Sequence, residues 1–452
     1  MAPSFFFYDL ETSGLNPRYD RVMQFAGQRT DMDLKPIGKP VNLLVKLSED
    51  ILPSPEALLV TGITPQKVAA DGISEPEFAK FLNEEVFLPN TTTVGFNNIR
   101  FDDEFIRHLL WRNFYDPYEW AYSDGRSRWD MLDVSRLVRA LRPDGINWPV
   151  DKNGKPTNNL EALAKINKLE HIHSHDALSD VEALIALTRL IKSRRPEMFQ
   201  YLFDIRSKKE IARLVNLDEP QLFVYASGRY DSDNEKTTVA LPVAPGRREG
   251  TLLAYDMRAD ITEVNTGEQL PVKELAYNRC PAVLPLNAIK DEKTWRRINL
   301  DLKTVQSNLK KLQDNRGLLD QVIATWNDRP DWPAAEDVEG QLYDSFTPDA
   351  DKSKIFAVRS ANAEDLADLH PSFIDERLPE LLFRYKARNF PQSLSEAEAE
   401  KWEEYRAAKL GRELPGYMNR LAQLAISSTS TDSQFLLEEI QLWVESIAPI
   451  SD

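Results

Sequence analysis

The feature of this sequence that most restricts its fold is the alternation of strand-like and helix-like segments over residues 1–190. Apolar, β-branched or aromatic runs predict strands at 5–10, 41–47 and 91–96. Apolar residues at helical spacing predict helices at 75–82, 103–111, 160–168 and 176–193. This alternation is typical of a layered α/β fold, so we predict an α/β domain over residues 1–195.

The downstream sequence predicts two further domains. Between residues 222 and 286, short β-like runs are separated by Gly, Pro, Asn and Asp, which is typical of a small barrel or sandwich. Helical patterns begin at Trp295 and resume after a connecting segment at 325–351, with helices predicted at 378–387, 395–411, 416–426 and 432–447. The last of the three domains is therefore predicted to be all-helical. We place the second domain at residues 196–350 and the third at residues 351–452.

Charge and composition exclude several classes of protein. The formal net charge of −16 opposes indiscriminate binding to polyanions, so any nucleic-acid site must be a confined channel or patch. A single cysteine, Cys280, rules out an internal disulfide and favours a cytoplasmic protein. The longest uncharged stretch, 86–99, is too short and too polar to cross a bilayer, and the apolar run at 5–8 has no basic region before it. We expect neither a membrane span nor a secretory signal.

Acidic residues follow two of the predicted strands. Asp9 and Glu11 are two positions apart on the first strand, so their carboxylates project from the same face. Asp102 follows the strand at 91–96 and begins a helix, while Asp180 lies about one turn inside the helix at 176–193, with His175 just before it. Each acid alone could be a solvated strand end or a helix cap. Together they predict a metal site at the edge of the sheet.

The histidines His171, His173 and His175 alternate, which admits a zinc site as an alternative. Zinc would require all three on one face of a regular strand, whereas this segment leads into a helix. Only His175 has an acid at a useful distance along the chain, so we favour a site built from carboxylates.

The motifs D-x-E at Asp9, N-x-x-F-D ending at Asp102 and H-x-A-x-x-D ending at Asp180 together resemble the DEDDh exonuclease superfamily. Thr61-Gly62-Ile63-Thr64 is similar to the segment that packs on the terminal nucleotide in that superfamily. The resemblance extends over nearly the whole chain to the bacterial exonuclease I family, through segments at 113–118, 127–130, 145–149 and 382–391.

The resemblance implies an RNase H-like nuclease domain, a β-barrel of the Src-homology 3 type and a helical domain, which close around single-stranded DNA. The implied activity is 3′→5′ hydrolysis of single-stranded DNA to 5′-mononucleotides in DNA repair and recombination. Four carboxylates and one histidine suit hard cations, so we expect two Mg²⁺ ions, with Mn²⁺ as a substitute. Asp9, Glu11 and Asp180 would hold the tighter ion, Asp102 would act on the second, and His175 would be the general base.

Arginines and rings interleave between residues 107 and 142, a pattern that predicts contacts with phosphates and bases. Trp111, Phe114 and Trp129 are expected in the core. A second basic segment lies near residue 385, with a solvated helix end as the alternative, and Ser227 closes a strand in a turn with little side-chain bulk. The predicted DNA-binding residues are Asn98, Arg107, Tyr118, Trp120, Tyr122, Arg136, Ser227, Arg384, Tyr385, Lys386, Arg388 and Asn389.

Two competing functions and one partner complete the expectations. The catalytic motifs do not distinguish deoxyribose from ribose, so a 3′→5′ exoribonuclease of the same superfamily is an alternative. A catalytically silent single-stranded DNA-binding protein on a nuclease fold is another. The resemblance also implies a partner, the acidic carboxyl-terminal tail of the bacterial single-stranded DNA-binding protein, for which we rank Arg142 and Arg316 first. The chain is expected to act as a monomer in the bacterial cytoplasm.

Overall fold

The computed structural model describes residues 2–169, 177–331 and 333–448, and its amino-terminal part is built on a five-stranded sheet. β1 pairs antiparallel with β2 and parallel with β4, and its run of buried residues explains the continuous apolar pattern of the sequence. The strands are β1 (Ser4–Thr12), β2 (Val22–Thr30), β3 (Val41–Leu44), β4 (Thr91–Gly95) and β5 (Ser127–Asp130), in the order β3-β2-β1-β4-β5.

Helices cover both faces of this sheet. Phe5 and Phe7 pack on one face with the helix that carries Val181, and Phe6 and Phe25 pack on the other. These alternating side chains give the domain two cores, one on each side of β1. The helices are α1 (Pro55–Thr61), α2 (Pro65–Asp71), α3 (Glu75–Phe81), α4 (Asp102–Arg112), α5 (Met131–Leu141), α6 (Leu160–Ile166), α7 (Ala177–Arg194), α8 (Pro196–Asp204) and α9 (Lys208–Leu214).

A second sheet follows, and it is antiparallel throughout. Its strands are β6 (Phe223–Ala226), β7 (Thr237–Pro245), β8 (Thr251–Asp256), β9 (Val272–Ala276) and β10 (Ala282–Pro285), in the order β10-β6-β7-β8-β9. The helices α10 (Glu292–Arg297), α11 (Leu302–Asp314) and α12 (Arg316–Asn327) come next and share a core with the sheet. The prediction of a small β domain between the α/β part and the helical part is confirmed.

The carboxyl-terminal part is helical, as predicted, but one helix is longer than expected. The capping box at Ser395 and Glu398 is present, yet the helix does not end at Gly411 and continues through Pro415. Packing of Leu421 against the core near α17 stabilises the helix beyond the residues that disfavour it. The helices are α13 (Lys352–Ser360), α14 (Ala363–Asp368), α15 (Leu378–Asn389), α16 (Glu396–Ser427) and α17 (Thr431–Ile447).

Three strands, β2, β5 and β9, were not predicted from the sequence. In β2, the buried polar residues Gln24 and Gln28 interrupt the apolar pattern, and Arg128 and Asp130 do the same in β5. Buried polar groups of this kind are tolerated because specific partners satisfy them, and those partners are distant in the sequence.

Within the described residues, no helix combines the length and the apolar character that a membrane crossing requires.

Candidate active site

The predicted carboxylates meet at the carboxyl end of β1. Asp9 lies opposite Ala26 and Glu11 opposite Gln24 in the pairing with β2, so both side chains project from one face. Asp180 reaches the same place from the first turn of α7. One carboxylate oxygen of each acid lies within 4.8 Å of those of the other two. The structure therefore brings together three of the four predicted acids in one cluster.

The fourth acid, Asp102, is buried at the start of α4. The nearby backbone amides of Asp102 itself and of Leu10 lower the pKa of this carboxyl. Burial and the neighbouring charge of Asp103 nevertheless raise the pKa of Asp102 to about 8. Asp102 is close enough to Asp9 for its charge to raise the pKa of Asp9. The charges of the other three acids therefore all act on Asp9 at this edge of the sheet.

Burial and like charges dominate the electrostatics of Asp9. Burial, followed by the charges of Asp102, Glu11 and Asp180, raises the pKa of Asp9 well above its usual range. A divalent cation between these oxygens would offset the repulsion. The donor set consists of carboxylate oxygens, which suit hard cations, so these residues fit a divalent metal site.

A buried group beneath the site fixes the start of α4. Asp103 accepts hydrogen bonds from Tyr8, from Asn98 at 3.2 Å and from Arg128 at 2.6 Å. It thus joins β1, the turn before α4 and β5. Asn98, predicted to contact DNA, is fully buried and supports Asp103. The sequence signal that could have indicated the role of Asp103 is the pair Asp102-Asp103 at the start of a helix. Only the carboxylate of Asp102 was assigned to the metal site, which left that of Asp103 without a role.

A cleft of about 520 Å³ opens in front of the acids. Asp9 and Asp180 lie on one side of it, and Arg136 and Lys236 line another part. Lys236 belongs to the second sheet domain, so two domains form the cleft. The remaining lining residues are Phe96, Asn97, Leu132, Pro156, Thr157, Asn158, Asn159, Leu160 and Glu161.

His175, the predicted general base, lies outside the described residues, as do His171 and His173. The description resumes at Ala177, the first residue of α7. The assignment of His175 therefore stays a prediction.

Three family profiles match successive parts of the chain. They describe an exonuclease domain at residues 6–188, an exonuclease I SH3-like domain at 263–328 and an exonuclease I carboxyl-terminal domain at 336–447. The chain is 38% identical to the exodeoxyribonuclease I of Haemophilus influenzae, with 97% of each chain aligned. It is 36% identical to that of Escherichia coli, again over 97% of each chain.

The chain belongs to the exonuclease I family. It is a DEDDh-type exonuclease with the three-part architecture of that family. Escherichia coli exonuclease I bound to a dA16 oligonucleotide superposes with a TM-score of 0.95 at 35% identity, covering 99% of this chain and 100% of the other. A moderately thermophilic exonuclease I from Methylocaldum szegediense gives a TM-score of 0.92 at 38% identity over the same shares.

The rings predicted to stack on bases fall into two groups in this exonuclease I relative. Trp120 is buried, stacks on Phe87 at a centroid distance of 4.7 Å and donates a hydrogen bond to the carbonyl of Pro117. Tyr122 is 68% exposed, and Tyr118 is half-buried. The geometry gives Trp120 a structural role, whereas the two tyrosines stay candidates for base stacking. Trp111, Phe114 and Trp129 are buried in the core, as expected.

An exposed aromatic surface surrounds Tyr118 and includes residues that the sequence did not single out. The guanidinium of Arg107 lies over the Tyr118 ring at 5.6 Å and donates to the Tyr343 hydroxyl at 3.2 Å. Phe346, which is 83% exposed, contacts Tyr118 edge to face, and Arg279 is a further exposed cation nearby. We call Tyr118, Tyr343, Phe346, Arg107 and Arg279 the junction surface, because α4, the β9–β10 connection and the segment before α13 meet there.

Two predicted contacts lie where the first two domains meet. Arg136 lines the cleft and donates to Asp133 at 2.6 Å. Its guanidinium covers Gly228, where an added Cβ would lie 3.1 Å from the arginine. Ser227 is buried and its hydroxyl accepts from the amide of Arg229, so its side chain shapes the turn. Arg136 remains a candidate for phosphate contact, whereas Ser227 has a structural role.

The predicted basic clamp on α15 differs most from expectation. Arg384 donates to Asp337 and Glu380, Lys386 donates to Glu398 at 3.1 Å, and both side chains are buried. Because their charges are neutralised inside the protein, these residues are not available to phosphates. The other three residues are also engaged: Arg388 holds Asp50, Tyr385 is buried against Phe114, and Asn389 donates to the carbonyl of Tyr385.

The two predicted partner-binding arginines lie on the second sheet domain and at its border. Arg142 donates to the carbonyl of Ala288 at 2.7 Å, which ties the end of α5 to the segment after β10. Arg316 is exposed at the start of α12 and lines a cavity of about 1040 Å³. Apolar residues dominate this cavity, among them Leu222, Leu241 and Leu309.

Proposed function

We propose that this exonuclease I relative is a single-strand-specific 3′→5′ exodeoxyribonuclease that releases 5′-mononucleotides. The observation that carries the proposal is the cluster of Asp9, Glu11 and Asp180, whose oxygens lie within 4.8 Å of one another at a two-domain cleft. Structural relatives crystallised with dA16 and dT13 oligonucleotides support a strand of DNA as the ligand.

Two divalent cations, Mg²⁺ with Mn²⁺ as a substitute, would be held by the four acids. When bound, they supply an activated water and stabilise the leaving 3′ oxygen of an in-line displacement. Asp9, Glu11 and Asp180 would hold the first ion, and Asp102 would orient the second. His175, which precedes α7, would accept the proton of the attacking water. A zinc-bound form of an Escherichia coli relative with single-stranded DNA supports metal binding by this family.

The junction surface is the proposed path of the incoming strand. Asp102 and Arg107 are separated by about 7.5 Å along α4, at 1.5 Å per residue, so the surface begins close to the acids. Its exposed rings can stack on bases of any sequence, and Arg279, whose side chain is 45% exposed beside Glu104, can contact phosphates. Tyr122 lies beyond Tyr118 in the same loop and would extend the path.

The single-strand specificity that we propose is supported by the close packing of the helical domain on the nuclease domain. α17 packs on α1 and α2 in a shared core, so the helical domain folds back on the nuclease domain. The hydroxyl of Tyr417 on α16 also donates to the carbonyl of Pro53 at 2.6 Å. A flexible strand would pass between the domains, whereas a duplex would stall at its junction.

One digestion series tests the proposal. End-labelled single-stranded DNA, duplex DNA and RNA of the same sequence are incubated with Mg²⁺, with Mn²⁺ and with EDTA. We expect degradation of single-stranded DNA from the 3′ end, 5′-mononucleotide products and no activity in EDTA. Rapid digestion of blunt duplex or of closed single-stranded circles would refute the proposal. Equal rates on RNA would favour an exoribonuclease, and binding without turnover would favour a silent DNA-binding protein.

We further propose that the apolar cavity beside α12 binds the acidic, hydrophobic-ended tail of a single-stranded DNA-binding protein. Leu222, Leu241 and Leu309 would receive the apolar end, and the exposed Arg316 would pair with a carboxylate. Arg142, which lies near the same segment after β10, would extend the basic rim.

Binding of the tail is measured by fluorescence anisotropy with a labelled acidic peptide at low salt. We expect micromolar affinity that weakens with added salt, and a loss of about tenfold in Arg316→Ala. Arg329→Ala, on an exposed cation outside the cavity, is the control. Absence of binding at tens of micromolar protein would refute this partner and leave the nuclease proposal intact.

We also propose that the protein acts as a monomer in DNA repair in the bacterial cytoplasm.

A further inference from the structure

The active-site cleft contains a cation that comes from the second sheet domain. Lys236 ends the turn between β6 and β7 and lines the cleft together with Asp9 and Asp180. It is half-buried, and its neighbour along the cleft, Arg136, already donates to Asp133. The cleft thus combines the metal-ligating acids of one domain with a lysine of another.

The backbone around Lys236 holds a conformation that few residues adopt without a reason. Glu235 and Lys236 have φ values of 54° and 53°, in the left-handed region that favours glycine. The amide of Lys236 donates to Asp231 at 3.0 Å, and its carbonyl accepts from Ser227 at 2.8 Å. The turn is therefore fixed at both peptide groups, and the direction of the lysine side chain is set by a strained backbone.

The same turn is anchored to the nuclease domain. Glu235 pairs with Arg139 of α5 at 2.7 Å, and their side chains are only 12% and 6% exposed. Asp233 pairs with Lys155 at 3.1 Å in a more exposed position. The buried pair of Glu235 and Arg139 fixes the turn relative to the acids, so Lys236 is positioned across a domain boundary, whereas the exposed pair of Lys155 and Asp233 contributes little.

The ammonium group of Lys236 makes no hydrogen bond and no ion pair with any residue that the structure describes. Other partly or fully buried lysines are paired, Lys386 with Glu398 and Lys409 with Asp50. A half-buried cation without a close ion pair favours an anionic ligand; the exposed carboxylate of Asp231 in the same turn experiences the charge of Lys236 but forms no ion pair with it. A phosphodiester is such an anion.

We propose that Lys236 binds a non-scissile phosphate of the substrate strand, next to the bond being hydrolysed, and so positions the strand on the metal-ligating acids. The inference rests on the proposed function, since the ligand is the nuclease substrate. Lys236 is a positioning residue contributed by the barrel domain, and it makes the nuclease site dependent on that domain.

The first test compares Lys236→Ala with Lys155→Ala, which removes an equal charge from the same docking region outside the cleft. We expect kcat/KM on single-stranded DNA to fall about tenfold in Lys236→Ala and to stay within twofold in Lys155→Ala. Lys236→Arg should recover most of the loss. Oligonucleotide binding in EDTA should have a salt slope smaller by about 0.7 in Lys236→Ala, the value for one lost phosphate contact. Equal salt slopes and equal kcat/KM in all variants would overturn the proposal.

The second test identifies the phosphate. Oligonucleotides carry one neutral methylphosphonate at successive linkages from the 3′ end. One non-scissile linkage should cost the parent protein about tenfold in binding and cost Lys236→Ala little, because the same contact is already absent. Equal costs in both proteins at every linkage would overturn the proposal. If the parent protein binds these strands but does not degrade DNA, the proposed nuclease function is wrong, and the binding data still test the phosphate contact of Lys236. If the parent protein binds none of the strands, both the proposed function and the proposed contact are wrong.

Discussion

Two carboxylates, Asp9 at the end of β1 and Asp50 at the junction with the helical domain, experience neighbouring charges of opposite sign. Asp50 is fully buried, and Arg388 donates to both of its oxygens, at 2.9 and 2.7 Å. Lys409 adds a third contact at 3.1 Å. At the active site, by contrast, carboxylate oxygens of Asp9, Glu11 and Asp180 lie within 4.8 Å of one another.

The pKa values follow from this difference. Burial alone would raise the pKa of Asp50, but the charges of Arg388 and Lys409 hold it well below its usual range. Burial and like charges raise the pKa of Asp9 instead. Burial of carboxylates is therefore not by itself a sign of function. The sign of the neighbouring charges that act on Asp9 and on Asp50 distinguishes a site suited to a metal from an ion pair that holds domains together.

The largest expected effect is at the cluster of Asp9, Glu11 and Asp180. Asp180→Asn should lower the hydrolysis rate by at least about three orders of magnitude, because a metal ligand is lost. Its thermal midpoint should stay the same or rise, since one of three repelling charges is removed. Steady-state kinetics and thermal unfolding in EDTA check both. Mg²⁺ should stabilise the parent and not the variant, and full activity in Asp180→Asn would contradict the assignment.

The paired group should respond in the opposite way. Arg388→Met leaves Asp50 and Glu339 buried without their shared partner, so the free energy of unfolding should fall by about 3–5 kcal/mol. Arg420→Met is a matched control, because Arg420 pairs with Glu56 between the same two domains while both side chains are about half exposed. The control should lose about 1 kcal/mol or less. Equal losses of unfolding free energy in Arg388→Met and Arg420→Met, measured by denaturant titration, would contradict the distinction between the buried and the exposed ion pair.

Acid titration sharpens the comparison at Glu75. Burial alone would raise its pKa, but the charges of Arg112 and Arg21 lower the pKa of Glu75 to about 2. A carboxyl whose pKa is lower in the folded than in the unfolded state stabilises the protein above its unfolded pKa. That contribution, about 3 kcal/mol, is lost as the pH falls from about 4.5 toward 2. Thermal midpoints measured against pH should fall less steeply in Glu75→Gln, and parallel curves would contradict the assignment.

The smallest effect concerns the basic residues of α15. Lys386→Ala should cost about 1 kcal/mol of stability through its lost bond to Glu398. The salt dependence of oligonucleotide binding should not change, because the ammonium group is buried and paired. A flatter salt slope in Lys386→Ala would instead support the contact with DNA predicted from the sequence.

Local geometry is sufficient to predict from the sequence that some of the acids lie together. Alternation along β1 places Asp9 and Glu11 together, and the position of Asp180 in the first turn of α7 follows from helical spacing. The interleaved rings and arginines could not be sorted in the same way. Trp120 and Tyr122 are two residues apart, yet one stacks on Phe87 in the core and the other is exposed.

The sequence by itself determined the order of the α/β, β-barrel and helical parts, the four acids and the family, because strand alternation, helical spacing and motif order are properties of neighbouring residues. The tertiary structure alone decided which charges are free to act. Arg388 is paired with Asp50 of another domain, whereas Lys236 reaches the acids of another domain without a partner among the described residues. Arg388 and Lys236 are both basic residues in polar segments of the sequence. Segments that are distant in the sequence fold onto them, and these segments decide whether the residue forms a structural ion pair or stays available to a ligand.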